Sequence, residues 1–217
     1  MNPLSYVDVS IGWFAPVLMV VGFVGVIVII SHYAFRHNKY LFEVSRKSVH
    51  VASGIAFAVG SYSMTREQML LACAAMGAGL VASSALRLPL AMERVPRVTI
   101  GAAAFPLGLA VATVLFYGNP EAFRFAVLSL GVCDAVAALA GTYLPLGGFN
   151  VMGQRKSISG MIGCFMAALV LAFSFGLDPF STVALALGVM LVEATFVFGL
   201  DNLFVPVVAG ILFSALS

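Results

Sequence analysis

Long apolar runs, broken at intervals by charged or turn-forming residues, make up most of the chain. Eight such runs can be marked, at about residues 11–31, 48–62, 69–86, 100–117, 122–144, 158–175, 181–200 and 203–216. Within them the apolar positions are continuous, and Ala, Gly and Leu predominate. A strand of a membrane barrel would alternate apolar and polar residues, so the runs predict helices. Most approach the ~20 residues that cross a hydrocarbon layer of about 30 Å; the second and the eighth are short for it. The pattern predicts an all-α, polytopic bundle of about eight transmembrane spans, with seven and nine the neighbouring counts. No linker, low-complexity stretch or repeat divides the chain, so residues 1–217 are read as a single integral membrane domain.

Composition narrows the reading further. Hydrophobic residues make up 62% of the chain and charged ones 9%, against about 45–50% and about 25% in soluble domains. A soluble enzyme, a secreted disulfide scaffold and a disordered chain are excluded. A formal charge of +2 with scattered bases gives no basic face for a phosphate backbone, so no nucleic-acid partner is expected. Cys73, Cys133 and Cys164 lie inside apolar runs without metal-ligand spacing and are expected to be packing residues. Residues 1–10 carry no Lys or Arg, and the apolar run that follows is too long for the core of a cleaved signal; it reads as a retained first span.

Where the bases fall predicts an orientation. Arg36, Lys39, Arg46, Lys47, Arg87, Arg94, Arg97, Arg155 and Lys156 occupy one set of alternate loops, 9 of the 11 Lys and Arg, while Arg66 and Arg124 occupy the other. By the positive-inside rule the rich side is cytoplasmic and the amino terminus outside. The expected location is the plasma membrane.

The few ionisable residues inside or beside the apolar runs then become informative. An ionised side chain at a bilayer centre costs about 2.5–3.5 kcal/mol on insertion scales, so it persists with a partner or a task. Asp134 sits mid-run in Gly131-Val-Cys-Asp-Ala-Val-Ala-Ala-Leu-Ala-Gly141. On a helix it shares a face with Ala137, Ala138 and Gly141, a strip of small side chains where another helix or a ligand can come close. Glu193 lies toward the cytoplasmic end of the seventh run. The segment Leu146-Gly-Gly-Phe-Asn-Val-Met-Gly-Gln-Arg-Lys-Ser-Ile-Ser-Gly160 spaces Gly148 and Gly153 like a P-loop. Gln154 and Arg155 intrude before Lys156-Ser157, however, and a helix precedes instead of a strand, so it is not a Walker motif. Its glycines, paired bases and hydroxyl at a helix start still suit an anion. Alternatively, the bases anchor topology and Ser157 caps the next helix. In Ser45-Arg-Lys-Ser-Val-His50, Arg46, Lys47 and His50 share one helical face. Asp201-Asn202, ahead of Val205-Pro206, places a carboxylate and an amide in an expected cytoplasmic turn. Cations for phosphates, carboxylates for a divalent metal and an apolar setting for a lipid are what phosphoryl transfer to a membrane alcohol requires.

These segments occur in an order that resembles the polyprenol kinase family, which includes phytol, farnesol and dolichol kinases and the CTP-dependent diacylglycerol kinase. The matching stretches are Arg46-Lys47-x-x-His50, Asp134-x-x-Ala137-x-x-x-Gly141, Lys156-Ser157-x-x-Gly160, and Glu193 followed by Asp201-Asn202-Leu203-x-Val205-Pro206. Thr99-Ile-Gly101 with Phe105-Pro-Leu-Gly108 is similar, more loosely, to the family's Gly-Thr segment. The resemblance runs from about Arg46 to Pro206. It implies an integral membrane enzyme that moves the terminal phosphate of CTP to a lipid hydroxyl with a divalent metal such as Mg²⁺. It further implies Asp134 as the key acid and, with Asp201, a metal ligand, and Glu193 as a third functional acid. Lys156, Ser157 and Gly160 would form the phosphate loop; Arg46, Lys47 and His50 would complete the polar pocket, and Asp201 and Asn202 would close it. Which acid takes the alcohol proton is left open.

Two positions depart from the family pattern: Cys133 stands where Gly is common before the acid, and Ser159 where a Glu is common in the loop motif. Two other activities are weighed against the kinase. A phosphatidate cytidylyltransferase-like enzyme would use the same nucleotide, but its dense Lys-Asp and Asp-Arg-x-Asp cluster has no counterpart here. A small transporter could use Asp134 and Glu193 as ion sites, although a through-path does not require cations clustered on one side. The Gly and Ala faces would serve packing within one chain or between copies, so a homo-oligomer is compatible with the sequence.

Overall fold

Every apolar run folds as helix, and four of the starts are capped by side chains, Thr65, Asn119, Ser157 and Asp178, that satisfy the first free N–H groups. In the computed structural model, residues 3–35, 41–86, 100–144 and 146–217 are described. Helix α1 covers Pro3–Phe35, α2 Phe42–Gly60, α3 Arg66–Ala85 and α4 Gly101–Phe116. A long rod follows, made of α5 (Pro120–Leu128), a π-helical turn (Ser129–Cys133) and α6 (Asp134–Tyr143); then come α7 (Ile158–Ser174), α8 (Pro179–Thr195) and α9 (Asp201–Leu216). Thr65 and Gln68 form a reciprocal capping box at α3. Asn119 caps α5 and Asp178 caps α8, each with Pro at the first helical position, where the missing N–H costs nothing.

Three stretches among the described residues are long and apolar enough to cross a membrane: Gly12–Ala34, Arg66–Ala85 and Pro120–Tyr143. Helices α4, α7, α8 and α9 are apolar but shorter, at 16 or 17 residues. The eight expected runs thus appear as helices, of which three have the length and composition of a full crossing. Arg36, Lys39, Arg87, Arg94, Arg97 and Thr99 lie outside the described residues.

Four local features differ from the expected pattern. The second run begins earlier, at Phe42, and Glu43 pairs one turn along with Arg46. The seventh helix stops at Thr195, because the chain turns sharply through Phe198 (φ 61°) and Gly199 (φ 87°); for a bulky side chain such as Phe198 this left-handed conformation is strained. Asp201-Asn202, expected as a turn, opens α9, with Asp201 Oδ1 accepting from Asn202 N at 3.0 Å. Finally, the segment expected to be a glycine-rich loop is an antiparallel hairpin, β1 (Gly148–Val151) with β2 (Gln154–Ser157). Its register pairs Val151 with Gln154 across a two-residue turn, Met152-Gly153, in which both residues have positive φ, 47° and 79°. That turn matches the twist of the flanking strands, so Gly153 serves chain reversal here.

The π-helical turn directly precedes Asp134, and α2 crosses it at near backbone contact. A Cβ at Gly131 would meet His50 O at 2.9 Å and Gly54 Cα at 3.3 Å, and one at Gly54 would meet Val127 O at 2.8 Å. Two glycines therefore let α2 lie against the rod where Asp134 begins α6. On the other side Gly160 opens the way for α7, since a Cβ there would meet Ala137 O at 2.9 Å. The strip of small residues beside Asp134 does receive a helix, as its sequence pattern predicts.

Candidate functional site

Asp134, Lys47 and His50 are all nearly inaccessible, at 3%, 2% and 3% exposure. Such burial is tolerable only because the charges are paired. Asp134 Oδ2 receives the Lys47 ammonium and a hydrogen bond donated by His50 Nδ1 at 3.0 Å. The His50 ring is held flat against Phe105, centroids 4.1 Å apart and planes 25° from parallel. Phe105 belongs to the Phe-Pro-Leu-Gly stretch of α4, whose Gly108 lies under the Asn202 backbone.

A second ionic group faces this one. Lys156, on β2, donates to Glu193 Oε1 at 2.9 Å and to Asp201 Oδ2 at 3.3 Å, and also to the Glu193 carbonyl. Burial alone would lower the Lys156 pKa, but the carboxylates of Glu193 and Asp201 outweigh it and raise the pKa above the ordinary lysine value. The strained turn through Phe198 and Gly199 joins α8 to α9 and so brings Glu193 and Asp201 to the same ammonium. One oxygen of Glu193, Oε2, is buried without a hydrogen-bond partner among the described residues.

Both groups open on one cavity of about 330 Å³. It is lined by four acids, Glu43, Asp134, Glu193 and Asp201, and four bases, Arg46, Lys47, Arg155 and Lys156. The two remaining described bases lie elsewhere. Arg124 stacks 3.6 Å above the Tyr62 ring and donates to Ser61 Oγ at the carboxyl end of α2, and Arg66 donates to Val114 O. From Lys47 to Ser61 along α2 is about 20 Å at 1.5 Å per residue, so the described bases separate to two ends of the bundle as the loop count predicts.

Of the residues singled out from the sequence, Arg46, Lys47, Asp134, Lys156, Ser157, Gly160, Glu193 and Asp201 line this cavity. Arg46 is tied to Glu43, Nη2 to Oε2 at 2.9 Å. Ser157 Oγ is the amino-terminal cap of α7, accepting from Gly160 N at 3.0 Å and from Ser159 Oγ at 3.3 Å. Both expectations for the loop therefore meet in one residue, which caps a helix and faces the cavity. Two residues fall outside it. Asn202 is buried and donates through Nδ2 to Gly101 O at 2.9 Å, joining α9 to α4. His50 does not line the polar cavity; it lies behind Asp134 and lines a separate apolar one. Sequence reasoning passed over Glu43, although its i, i+3 spacing to Arg46 marked it, and over Gly54 and Gly131, whose pairing across helices has no local signature.

The donor set suits a hard divalent cation. Asp134, Glu193 and Asp201 each offer one oxygen, all within 4.8 Å of one another, and the unpartnered Glu193 Oε2 adds a further acceptor. Oxygens on opposite sides of Mg²⁺, at ~2.1 Å each, stand ~4.2 Å apart, so the cluster is close to the size of a coordination shell. It includes Glu193 beside the Asp134 and Asp201 pair that the family resemblance implies.

Comparison with known proteins bears on the family resemblance. The chain is 27% identical over 198 residues to a phytol kinase of Synechocystis sp., covering 85% of this chain and 84% of that protein. This relative bears out the resemblance to the polyprenol kinase family. No family model matches the chain, and no solved structure matches it.

Proposed function

We propose that the chain is a lipid-alcohol kinase, transferring the terminal phosphate of a nucleotide, with CTP as the favoured donor, to the hydroxyl of an isoprenoid alcohol or of diacylglycerol. The observation that carries this reading is the juxtaposition, in one cavity among apolar helices, of a three-carboxylate cluster and several cations. Phosphoryl transfer needs little covalent help from a protein; it needs the phosphates held and their charge neutralised. The similarity to a phytol kinase supports an acceptor of the same chemical class.

On this reading Lys156 and Arg155 grip the phosphates from the hairpin while Arg46 and Lys47 face them from α2. Asp134, Glu193 and Asp201 would hold Mg²⁺, which when bound supplies charge neutralisation of the phosphoryl oxygens. The hydroxyl oxygen forms a bond to the γ-phosphorus as the bond to the β–γ bridging oxygen breaks. The nucleoside diphosphate leaves, and the hydroxyl proton passes to the Asp134–His50 pair. Lys47 and His50 hold the Asp134 carboxylate oriented for that task. By the positive-inside rule the cavity opens to the cytoplasm of a plasma-membrane protein.

The test is to supply purified protein with Mg²⁺, a mixture of lipid alcohols and diacylglycerol, and CTP labelled at either the γ- or the α-phosphate. Label reaching the organic phase from the γ-position only is the expected result. Transfer from the α-position would make the chain a cytidylyltransferase, and no transfer from either with no nucleotide binding would refute the kinase reading.

A further inference from the structure

Beside the polar cavity lies a second, of about 220 Å³, lined by α1, α2, α3 and α4. Val24 and Val28 of α1, Met76 and Leu80 of α3 and Phe105 of α4 contribute to its wall, and among the described residues His50 is its one polar lining residue. His50 is also the contact between the two cavities, because its Nδ1 bonds to Asp134 and Asp134 faces the ionic one. Stacking on Phe105 fixes the ring. Among the described residues no hydrogen bond to His50 Nε2 is shown, so the ring has a polar atom to offer a group in the apolar cavity. Two glycines of the wall, Gly25 and Gly79, have nothing within 4 Å of a Cβ built on them. The helices at these points border open space, in contrast to the tight crossings at Gly54 and Gly131.

We infer that this apolar cavity is the acceptor site: it takes the hydrocarbon chain of a lipid alcohol, with the hydroxyl end against His50, one imidazole ring away from Asp134. The inference rests on the kinase reading for its occupant. The argument is one of continuity. A lipid alcohol is a long apolar chain with a single polar end, and the cavity is an apolar wall with a single polar residue among those described, joined by one hydrogen bond to the buried acid of the ionic site. A hydroxyl hydrogen-bonded there avoids the cost of an unpaired polar group in an apolar setting. Ordinary bilayer lipid would fill the apolar wall equally well but would have no use for His50.

The test needs two variants on one helix. Gly79→Leu puts a side chain into the cavity; Gly77→Leu, two residues away, also has open space at its Cβ but does not line it. The full-length protein in lipid nanodiscs is irradiated with a long-chain isoprenoid alcohol bearing a photoreactive diazirine, and labelled residues are mapped by mass spectrometry. Labelling of α1, α3 and α4 residues of the wall, lost in Gly79→Leu and kept in Gly77→Leu, is expected. It should be competed by unlabelled alcohol and not by the same hydrocarbon lacking the hydroxyl. In the transfer assay Gly79→Leu should raise KM for the long-chain alcohol at least about tenfold and leave the nucleotide KM unchanged. Labelling spread over the lipid-facing surface, or competed equally by the plain hydrocarbon, overturns the inference. Specific labelling of the wall without any phosphoryl transfer would uphold the alcohol site and refute the kinase reading, so the two fail separately.

Discussion

The buried pair between Lys47 and Asp134 allows a test in which folding and chemistry separate. In the substitution Asp134→Asn, the Lys47 ammonium, 2% exposed, loses the carboxylate charge that pairs with it. In Lys47→Met, Asp134 keeps the hydrogen bond from His50. Breaking a buried ion pair on one side costs about 3–5 kcal/mol, whereas replacing both partners with apolar or neutral groups is often close to neutral. Asp134→Asn should therefore destabilise by about 3 kcal/mol or more, Lys47→Met by less, and the double variant should recover most of the loss. Reversible unfolding in mixed detergent micelles, followed by near-ultraviolet circular dichroism, gives the three free energies. Transfer activity should stay abolished in the double variant despite its recovered stability, because the acid is gone. If the two single losses simply add in the double variant, to within about 0.5 kcal/mol, the pair is not coupled and the account of the buried site is wrong. If the stable double variant turns over normally, Asp134 has no part in the chemistry.

Three further outcomes follow from the same geometry. Lys156 and a divalent cation draw on the same carboxylates of Glu193 and Asp201, so Lys156→Ala should tighten Mn²⁺ binding, read by electron paramagnetic resonance, while raising the nucleotide KM more than it lowers kcat; unchanged nucleotide kinetics would reduce the hairpin to a topology anchor. Glu193→Gln should weaken Mn²⁺ binding in the same assay, and wild-type affinity would remove Glu193 from the cation site. Gly131→Val should destabilise the bundle and lower activity together, since its side chain would press on the His50 carbonyl; a stable, fully active variant would mean the α2 crossing does not position the site.

How much of this was readable from the chain depends on what kind of energy each feature involves. Helical segments were legible because a continuous apolar run leaves a membrane chain few ways to satisfy its backbone. The ionic residues were legible for the converse reason: each charge in an apolar setting is expensive enough to mark itself. Asp134 and Glu193 proved to be buried and Lys156 half-buried, each of them paired. The ends of helices were less legible, because the short segment from Phe196 to Leu200 and the Met152-Gly153 turn depend on left-handed backbone at Phe198 and Met152 that no side-chain pattern announces. Position was the least legible. That His50 belongs to the apolar cavity while Lys47, three residues earlier, faces the ionic one is decided by the crossing of α2 over a π-helical turn, and that crossing depends on Gly54 meeting Gly131 from a distant part of the chain. A one-dimensional reading groups Arg46, Lys47 and His50 as three cations on one face. In three dimensions the helix divides them between two environments, and the division places a titratable ring where an apolar cavity meets a buried carboxylate, the junction on which the proposed meeting of a lipid hydroxyl and a nucleotide phosphate rests.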